Sequence, residues 1–137
     1  MKASLFTNII QKLKEDTKTI INVNSLNVEI IRNVSILNAY GNVIDVEEKT
    51  IGIEKVRLVP ISNITIAKTA DASFLEEKKY SLLVEYNSLI QEKDILIDSE
   101  KRCFEVQELN ASTLTDDNGK KEAYKKSGVV IFKGLKQ

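Results

Sequence analysis

Apolar and polar residues alternate with a period of two along most of this chain, the pattern of β-strands with one face buried. The clearest instance is the segment 93–109, KDILIDSEKRCFEVQEL. Arms rich in Ile, Leu, Phe and Val flank the polar turn 98–101, so we predict a hairpin with arms at 94–97 and 103–107. Further strands are predicted at 27–37, 43–46, 51–60, 80–86 and 128–133.

One segment near the N-terminus has a helical period instead. In residues 4–16 the apolar side chains recur at steps of three and four, and Ser4 is a candidate N-cap. The residues 17–26 are interpreted as a transition with a short strand at 19–23. The apolar stripe either covers an open face or end of the domain, or docks on a neighbouring copy or another partner. The interface candidates of this stripe are Leu5, Phe6, Ile9, Ile10 and Leu13.

Turn chemistry separates the predicted strands. After the strand 27–37, glycine permits a positive φ and the neighbouring Asn residues tolerate it. The polar run 47–50 is predicted to interrupt the returning strand. Farther along, a change of face near Lys55 and Val56 predicts a β-bulge. The structural turn is formed by Ala39, Tyr40, Gly41 and Asn42.

The segment 62–79 is the least regular internal stretch. Residues 64–66 are able to pair briefly as a strand, and residues 67–77 have weak helical content. A loop longer than about 12–15 residues in a compact domain usually has a function or is mobile. We therefore treat this segment as a candidate gating loop, represented by Ile66, Lys68, Asp71 and Phe74.

The C-terminal part changes character. Residues 110–127 are polar, with a turn predicted at 116–119, and the lysines among them indicate either a solvated surface segment or a contact with DNA or an acidic partner. The strand 128–133 has four apolar residues in succession, which predicts burial on both faces. It would close the sheet or add to the edge of a neighbouring molecule. The lysines are Lys120, Lys121, Lys125 and Lys126.

The composition argues against most kinds of catalytic and metal-binding site. Lys and Arg number 20, as do Asp and Glu, so the net charge of zero indicates no general attraction to nucleic acid or to anionic membranes. The chain has no His and one Cys, so no disulfide framework, metal site or cofactor is expected, and Cys103 is expected to be a small apolar filler. The pairs Asp94 with Asp98 and Glu47 with Glu48 are expected to be solvated. No catalytic residue and no enzymatic activity are predicted.

The 137 residues fit one domain, since domains commonly have roughly 100–150 residues. No export signal is evident, and no apolar run approaches the roughly 20 residues that a membrane span needs. We predict a mainly β fold: a small antiparallel β-barrel or sandwich of about six to eight strands with an N-terminal amphipathic helix. The helix is expected in 1–17, the β core in 18–109, and a polar segment with the terminal strand in 110–137.

Two motifs resemble those of the head–tail connector proteins of tailed bacteriophages, the head-closure, stopper or neck proteins. In that family a D-A-Y-G-N-like turn follows the first long strand. The same place here holds the turn 39–42 and then Val43, with Asn38 where Asp is usual. The likeness spans residues 28–109, most of the chain.

The second motif is the hairpin that follows residue 93. The family pattern resembles G-D-x-I-x-I-D-G-x-x-Y-x-V, and this chain has KDILIDSEKRCFEV. Lys93 and Ser99 stand where the two Gly are usual, and Phe104 stands where Tyr is usual. Both motifs are structural turns rather than chemical signatures.

The resemblance implies a small β-barrel or sandwich that forms one subunit of a homo-oligomeric ring of about six or twelve copies. Such a ring lies in the virion neck, between the portal or adaptor protein and the tail-terminator or tail-tube proteins. It retains packaged DNA, which passes through the channel without sequence recognition, and it offers a surface for tail attachment. The chain would be made in the host bacterial cytoplasm and contact no membrane.

Two alternatives remain open at this point. One is a tail-completion or tail-terminator protein, which also forms rings of small β subunits. The other is a nucleic-acid-binding β-barrel, which needs aromatic stacking platforms and a basic groove. Salt-dependent binding to single-stranded DNA discriminates this last class. The aromatic residues that would have to serve it are spread over separate elements: Tyr40, Tyr80, Tyr86 and Phe104.

Overall fold

The computed structural model describes residues 5–61, 64–68 and 74–136, with the backbone alone for 64–68 and 74–77. In this part of the chain one helix precedes eight strands. The elements are α1 (Leu5–Val23), β1 (Leu26–Leu37), β2 (Val43–Pro60), β3 (Ile64–Lys68), β4 (Phe74–Glu77), β5 (Lys79–Glu85), β6 (Ile95–Ile97), β7 (Arg102–Thr115) and β8 (Lys121–Leu135).

Six strands close into an antiparallel barrel in the order β1-β2-β5-β8-β7-β6, with β6 pairing back onto β1. The prediction of a mainly β fold with an N-terminal helix is confirmed, and the barrel is the form it takes. The terminal strand β8 lies between β5 and β7, so it closes the sheet. Closure pairs the barrel strands on both sides, which removes free edges around the core.

Inward-facing aliphatic side chains fill the barrel around Phe104. Its ring meets Tyr80 edge to face, with centroids 5.2 Å apart, and Phe132 at 5.6 Å. Such aromatic pairs stabilise the core beyond the area they bury. The buried cluster consists of Val28, Ile30, Val56, Leu58, Leu82, Val84, Ile90, Leu96, Phe104, Val106 and Val130.

Helix α1 is longer than the sequence pattern predicts. The strand expected at 19–23 is wrong, because these residues form the last turns of the helix. Ile10, Thr17 and Ile21 continue one buried stripe at helical spacing, and burying that stripe overrides the β propensity of the local residues. Ser4, the predicted N-cap, lies outside the described residues.

The buried stripe of α1 lies over the outside of the barrel, against β8, β5 and β2. The strand registers place Leu83, Val129 and Ile131 on this outer face. Polar contacts fix both halves of the helix. Lys14 Nζ lies 2.9 Å from a Glu122 carboxylate oxygen, and an Arg57 Nη donates to the carbonyl of Ile20.

Strand β2 is continuous, so the predicted interruption at 47–50 is wrong. Cross-strand pairing with β1 holds these polar residues in the ladder. A bulge exists, but it is not at the predicted position near Lys55. The register shifts between Ile30 and Ile31, where Gly52 and Thr50 are the successive partners, leaving Ile51 as the extra residue.

Two further segments differ from prediction in the described residues. The weak helical content expected in 67–77 is wrong: β3 and β4 form a two-stranded hairpin inserted between β2 and β5. The polar segment 110–127 is mostly strand, because β7 and β8 pair as far as Thr115 and Lys121. The predicted turns at 98–101 and 116–119 are confirmed.

Candidate interaction surfaces

Strand direction gives the barrel two unlike ends. β1, β5 and β7 run the same way, since each is separated from the next by one antiparallel neighbour. The β1–β2 and β7–β8 hairpins and the β5–β6 connection therefore share one end, here called the arm end. The β6–β7 turn, the β3–β4 hairpin and the end of β8 share the other, here called the far end.

The β1–β2 hairpin extends past the barrel at the arm end. Pairing of β1 with β6 stops at Ile31, whereas pairing with β2 continues from Arg32 to Leu37. At about 3.4 Å per residue these six positions form an extension about 20 Å long. We call this extension, residues 32–49, the arm. Its side chains toward the tip contribute nothing to the barrel core.

The tip of the arm is a five-residue turn closed by Asn38. Its side-chain Oδ1 accepts the N–H of Tyr40 at 2.9 Å and the N–H of Asn42 at 3.1 Å. Gly41 has φ +83°, which glycine adopts without steric cost. The structural turn predicted at 39–42 is thus confirmed, and it holds Tyr40 89% exposed at the tip.

Large apolar side chains lie exposed on both faces of the arm. Three carboxylates, Asp45, Glu47 and Glu48, are interspersed with them and are also exposed. Residues 33–48 contain no Lys or Arg, so this distal part has a net charge of −3. An exposed apolar cluster of this kind is typical of an interaction surface. The exposed apolar residues are Ile36, Leu37, Tyr40, Val43, Ile44 and Val46.

An ion pair fixes the base of the arm. Arg32 Nε and Nη2 each lie 2.9 Å from an oxygen of Asp94, and Nη2 also donates to the carbonyl of Leu89 at 2.8 Å. The hydrogen bond with Asp94 raises the pKa of Arg32 above its ordinary value. Asp94 was expected to be solvated, and this is wrong: its side chain is 2% exposed. It also accepts the N–H of Gln91 at 2.8 Å, so both of its oxygens are hydrogen-bonded within the protein.

The β5–β6 connection ties the two hairpins of the arm end together. Glu54 of β2 accepts the Ser88 hydroxyl at 2.6 Å and the Leu89 N–H at 2.7 Å. From β8, Lys126 Nζ donates to the carbonyl of Ser88. An open cleft of about 510 Å³ lies beside this connection, but Glu54, its central carboxylate, is already engaged. The cleft is lined by Ile53, Glu54, Lys55, Glu85, Asn87, Ser88 and Leu89.

At the far end, Asp98 closes the β6–β7 turn. It was expected to be solvated and is instead buried, accepting the N–H groups of Glu100 and Arg102 at 2.9 Å. Arg102 Nε donates to its second oxygen at 2.7 Å, and this bond raises the pKa of Arg102. Asp94 and Asp98 therefore act as structural acceptors, each held by its own arginine.

Exposed lysines gather around this turn. The backbone N–H of Lys136 donates to the carbonyl of Lys101 at 2.8 Å, and the N–H of Phe132 donates to the carbonyl of Lys78. The first bond brings the end of β8 to the β6–β7 turn, and the second joins β8 to the residue that precedes β5. We call the resulting surface the basic end: the exposed residues Lys78, Lys101, Lys133, Leu135 and Lys136.

The interface candidates on α1 differ in exposure, because some pack on the barrel and others face solvent. Ile10 is 3% exposed and packs on the barrel, with Phe6 and Leu13 half-buried beside it. Leu5 is 76% exposed and Ile9 is also exposed. The covering role therefore belongs to Ile10, and only Leu5 and Ile9 are free to meet another molecule.

The candidate gating loop is described in part. Ile66 and Lys68 lie on β3 and Phe74 begins β4, with Lys68 paired to Phe74 across the hairpin. Asp71 lies outside the described residues. The backbone of this hairpin belongs to the far end, opposite the arm.

Among the described residues, no group of side chains is arranged for catalysis or for metal binding. Cys103 is half-buried, as expected, with its Sγ 3.9 Å from the carbonyl of Lys101. Glu47 and Glu48 are exposed, as expected. No cluster of three or more His, Cys, Asp or Glu able to hold a metal ion occurs in 5–61, 64–68 and 74–136.

No protein-family model, curated protein or solved structure matches the chain. Among the described residues, no helix has both the length and the apolar character needed to cross a membrane. Sequence reasoning located the tip turn but missed the surface beside it. The sequence does contain a signal for it. Val43 and Ile44 are adjacent apolar residues directly after the turn, whereas a strand with one buried face needs apolar residues only at alternate positions.

Proposed function

We propose that this chain is a structural virion protein, one subunit of a homo-oligomeric ring at the head–tail junction of a tailed bacteriophage. In this role it closes the head and connects the portal or adaptor protein to the tail. The observation that carries the proposal is the arm, which extends an exposed apolar surface about 20 Å from a barrel without a catalytic constellation among its described residues. Such a surface serves assembly rather than chemistry.

The backbone of the β5–β6 connection supports the likeness to connector proteins. Lys93 has φ +73°, a conformation that favours glycine, and it occupies the place of the first Gly in the family pattern. The second Gly position differs, because the positive φ of the β6–β7 turn falls at Lys101 rather than at Ser99. The tip turn with Gly41 at φ +83° is the counterpart of the family's first motif.

Base stacking has little support in comparison. Phe104 is fully buried in the core, and Tyr80 packs its ring against it. Neither ring is free to stack on a base, and the exposed Tyr40 and Tyr86 lie on separate elements rather than on one stacking platform. DNA would therefore pass through the ring without sequence recognition.

The proposal is tested by removing the coding sequence from the phage or prophage that carries it. Electron microscopy of the lysate should show tails separated from heads that have lost their DNA, and infectivity should return when the chain is supplied from a plasmid. Normal yields of filled, tailed particles without the chain would contradict the proposal. Filled heads without tails would place the chain in attachment rather than closure.

A further inference from the structure

Charge is unevenly distributed between the two ends of the molecule. The distal arm, residues 33–48, has a net charge of −3, with Asp45, Glu47 and Glu48 among its exposed residues. Because the whole chain is neutral, the remainder has a net charge of +3. The charge that balances the arm therefore lies elsewhere on the same chain.

The basic end has the matching character. Its four lysines are exposed, and Leu135 beside them is 66% exposed. Glu100, the carboxylate of the neighbouring turn, lies 3.6 Å from Arg102 Nε. Because Arg102 also pairs with Asp98, Glu100 leaves one negative charge beside the four lysines, which outnumber it. Val59, near the end of β2, and Ile61, just after it, are also exposed and lie at the same far end. This surface combines apolar contact with positive charge, whereas the arm combines apolar contact with negative charge.

We propose that the arm of one copy docks on the basic end of a second copy. The two surfaces lie at opposite ends of the barrel, so a single chain cannot join them to each other. The contact is therefore heterologous, with each copy giving its arm and receiving another. Such contacts produce a ring when the rotation between copies closes. This inference rests on the proposed function for its ring, but the contact itself is a property of the isolated protein.

A second exposed apolar surface, on the outer face of α1, lacks this complementarity. On the outer face of α1, Leu5 and Ile9 are accompanied by Lys12 and Asp16, whose charges cancel. The β7–β8 hairpin is already covered in part by α1, through the ion pair of Lys14 with Glu122. The basic end is the surface that pairs charge as well as apolar area with the arm.

The test exchanges charge between the two surfaces. The arm variant carries Asp45→Lys, Glu47→Lys and Glu48→Lys, and the end variant carries Lys101→Glu, Lys133→Glu and Lys136→Glu. Each alone should lose self-association by about 100-fold or more, because like charges then face each other. An equimolar mixture should recover it, since each variant arm meets an opposite charge on the other variant. Sedimentation velocity measures the association.

A matched control separates a local effect from net charge. Glu92→Lys, Glu108→Lys and Asp117→Lys together change the net charge by as much as the arm variant does, at exposed positions that belong to neither surface. This control should associate like the wild type. Wild-type association should also weaken between about 50 mM and 500 mM salt, which shortens electrostatic screening from about 14 Å to about 4 Å. Circular dichroism melting checks that all variants fold.

Three results would overturn the inference. The first is a wild-type protein that stays monomeric up to about 1 mM, near the limit of specific association. The second is a mixture of the two variants that does not recover association. The third is an end variant that assembles normally but loses low-salt binding to double-stranded DNA, which would assign the lysines to DNA. Each leaves the neck assignment standing, since that is tested in the phage particle.

Discussion

At the scale of single residues, two arginine–aspartate pairs decide how the barrel joins its extensions. Asp94 and Asp98 flank the short strand β6, and each is bound both by a guanidinium and by backbone N–H groups. The pair of Arg32 with Asp94 is bidentate, and charge-assisted bonds of this kind fix orientation as well as distance. Arg32 is the first residue of the arm, so its pair with Asp94 sets the direction in which the arm leaves the barrel.

Replacing Arg32 tests this role. Arg32→Met leaves Asp94 buried without its cation, so the free energy of unfolding should fall by about 2–3 kcal/mol, below the full cost of a wholly buried pair because Arg32 is partly exposed. Urea denaturation measures the change. Lys49→Met is the matched control, since Lys49 pairs with Arg32 across the ladder and is exposed. Equal losses in the two variants would show that the ion pair contributes nothing specific.

One glycine is required by close packing between strands. A Cβ on Gly128 would overlap the backbone carbonyl of Glu108 at the bulge of β7, and backbone atoms cannot easily yield. Gly128→Ala should therefore destabilise the fold by about 1–3 kcal/mol, the usual cost of overpacking. Gly52→Ala provides the control, because a Cβ there meets nothing within 4 Å. Thermal melting measures the stability of both variants. Equal melting temperatures would refute the packing explanation.

At the scale of elements, α1 serves as a cover for one side of the barrel. Ile10→Asp places a charge in the packed interface and should lower the free energy of unfolding by at least about 3 kcal/mol. Leu5→Asp, on the exposed side, should change it by less than about 0.5 kcal/mol. Urea denaturation measures the free energy of unfolding of both variants. A similar large loss for Leu5→Asp would show that the outer side of the helix is also packed.

The period of two located the barrel strands because their inward residues must alternate. The same rule failed where tertiary contacts decide. Residues 19–23 look like a strand by propensity, but the stripe from Ile10 to Ile21 holds them helical. The polar residues 110–127 carry no burial signal, because cross-strand pairing rather than core contact keeps them extended. Partners distant in sequence, such as Arg32 and Asp94, leave no local pattern to detect.

At the scale of the whole molecule, a net charge of zero conceals a polar arrangement. Acidic and apolar residues occupy the arm, and lysines occupy the opposite end. Composition alone predicts no electrostatic partner, whereas the strand directions place the two charged regions where they can serve successive copies. In the contact that we propose, the exposed arm of one copy would be covered by the basic end of another.

Nucleic-acid binding gives an independent check at this scale. The chain is neutral, Phe104 is buried, and the exposed Tyr40 and Tyr86 lie on separate elements. We therefore expect weak binding of a single-stranded oligonucleotide, with a Kd above about 100 µM at physiological salt, the weak end of non-specific binding. Fluorescence anisotropy at low and high salt measures it. A Kd near about 1 µM with steep salt dependence would favour the nucleic-acid-binding β-barrel instead.

The central claim is the place of this chain in a phage particle, and imaging can test it directly. Particles carrying a tagged copy of the chain would be labelled with gold and examined by electron microscopy. We expect label confined to the junction of head and tail. Label elsewhere on the particle, or infectious particles that contain no copy of the chain, would contradict it.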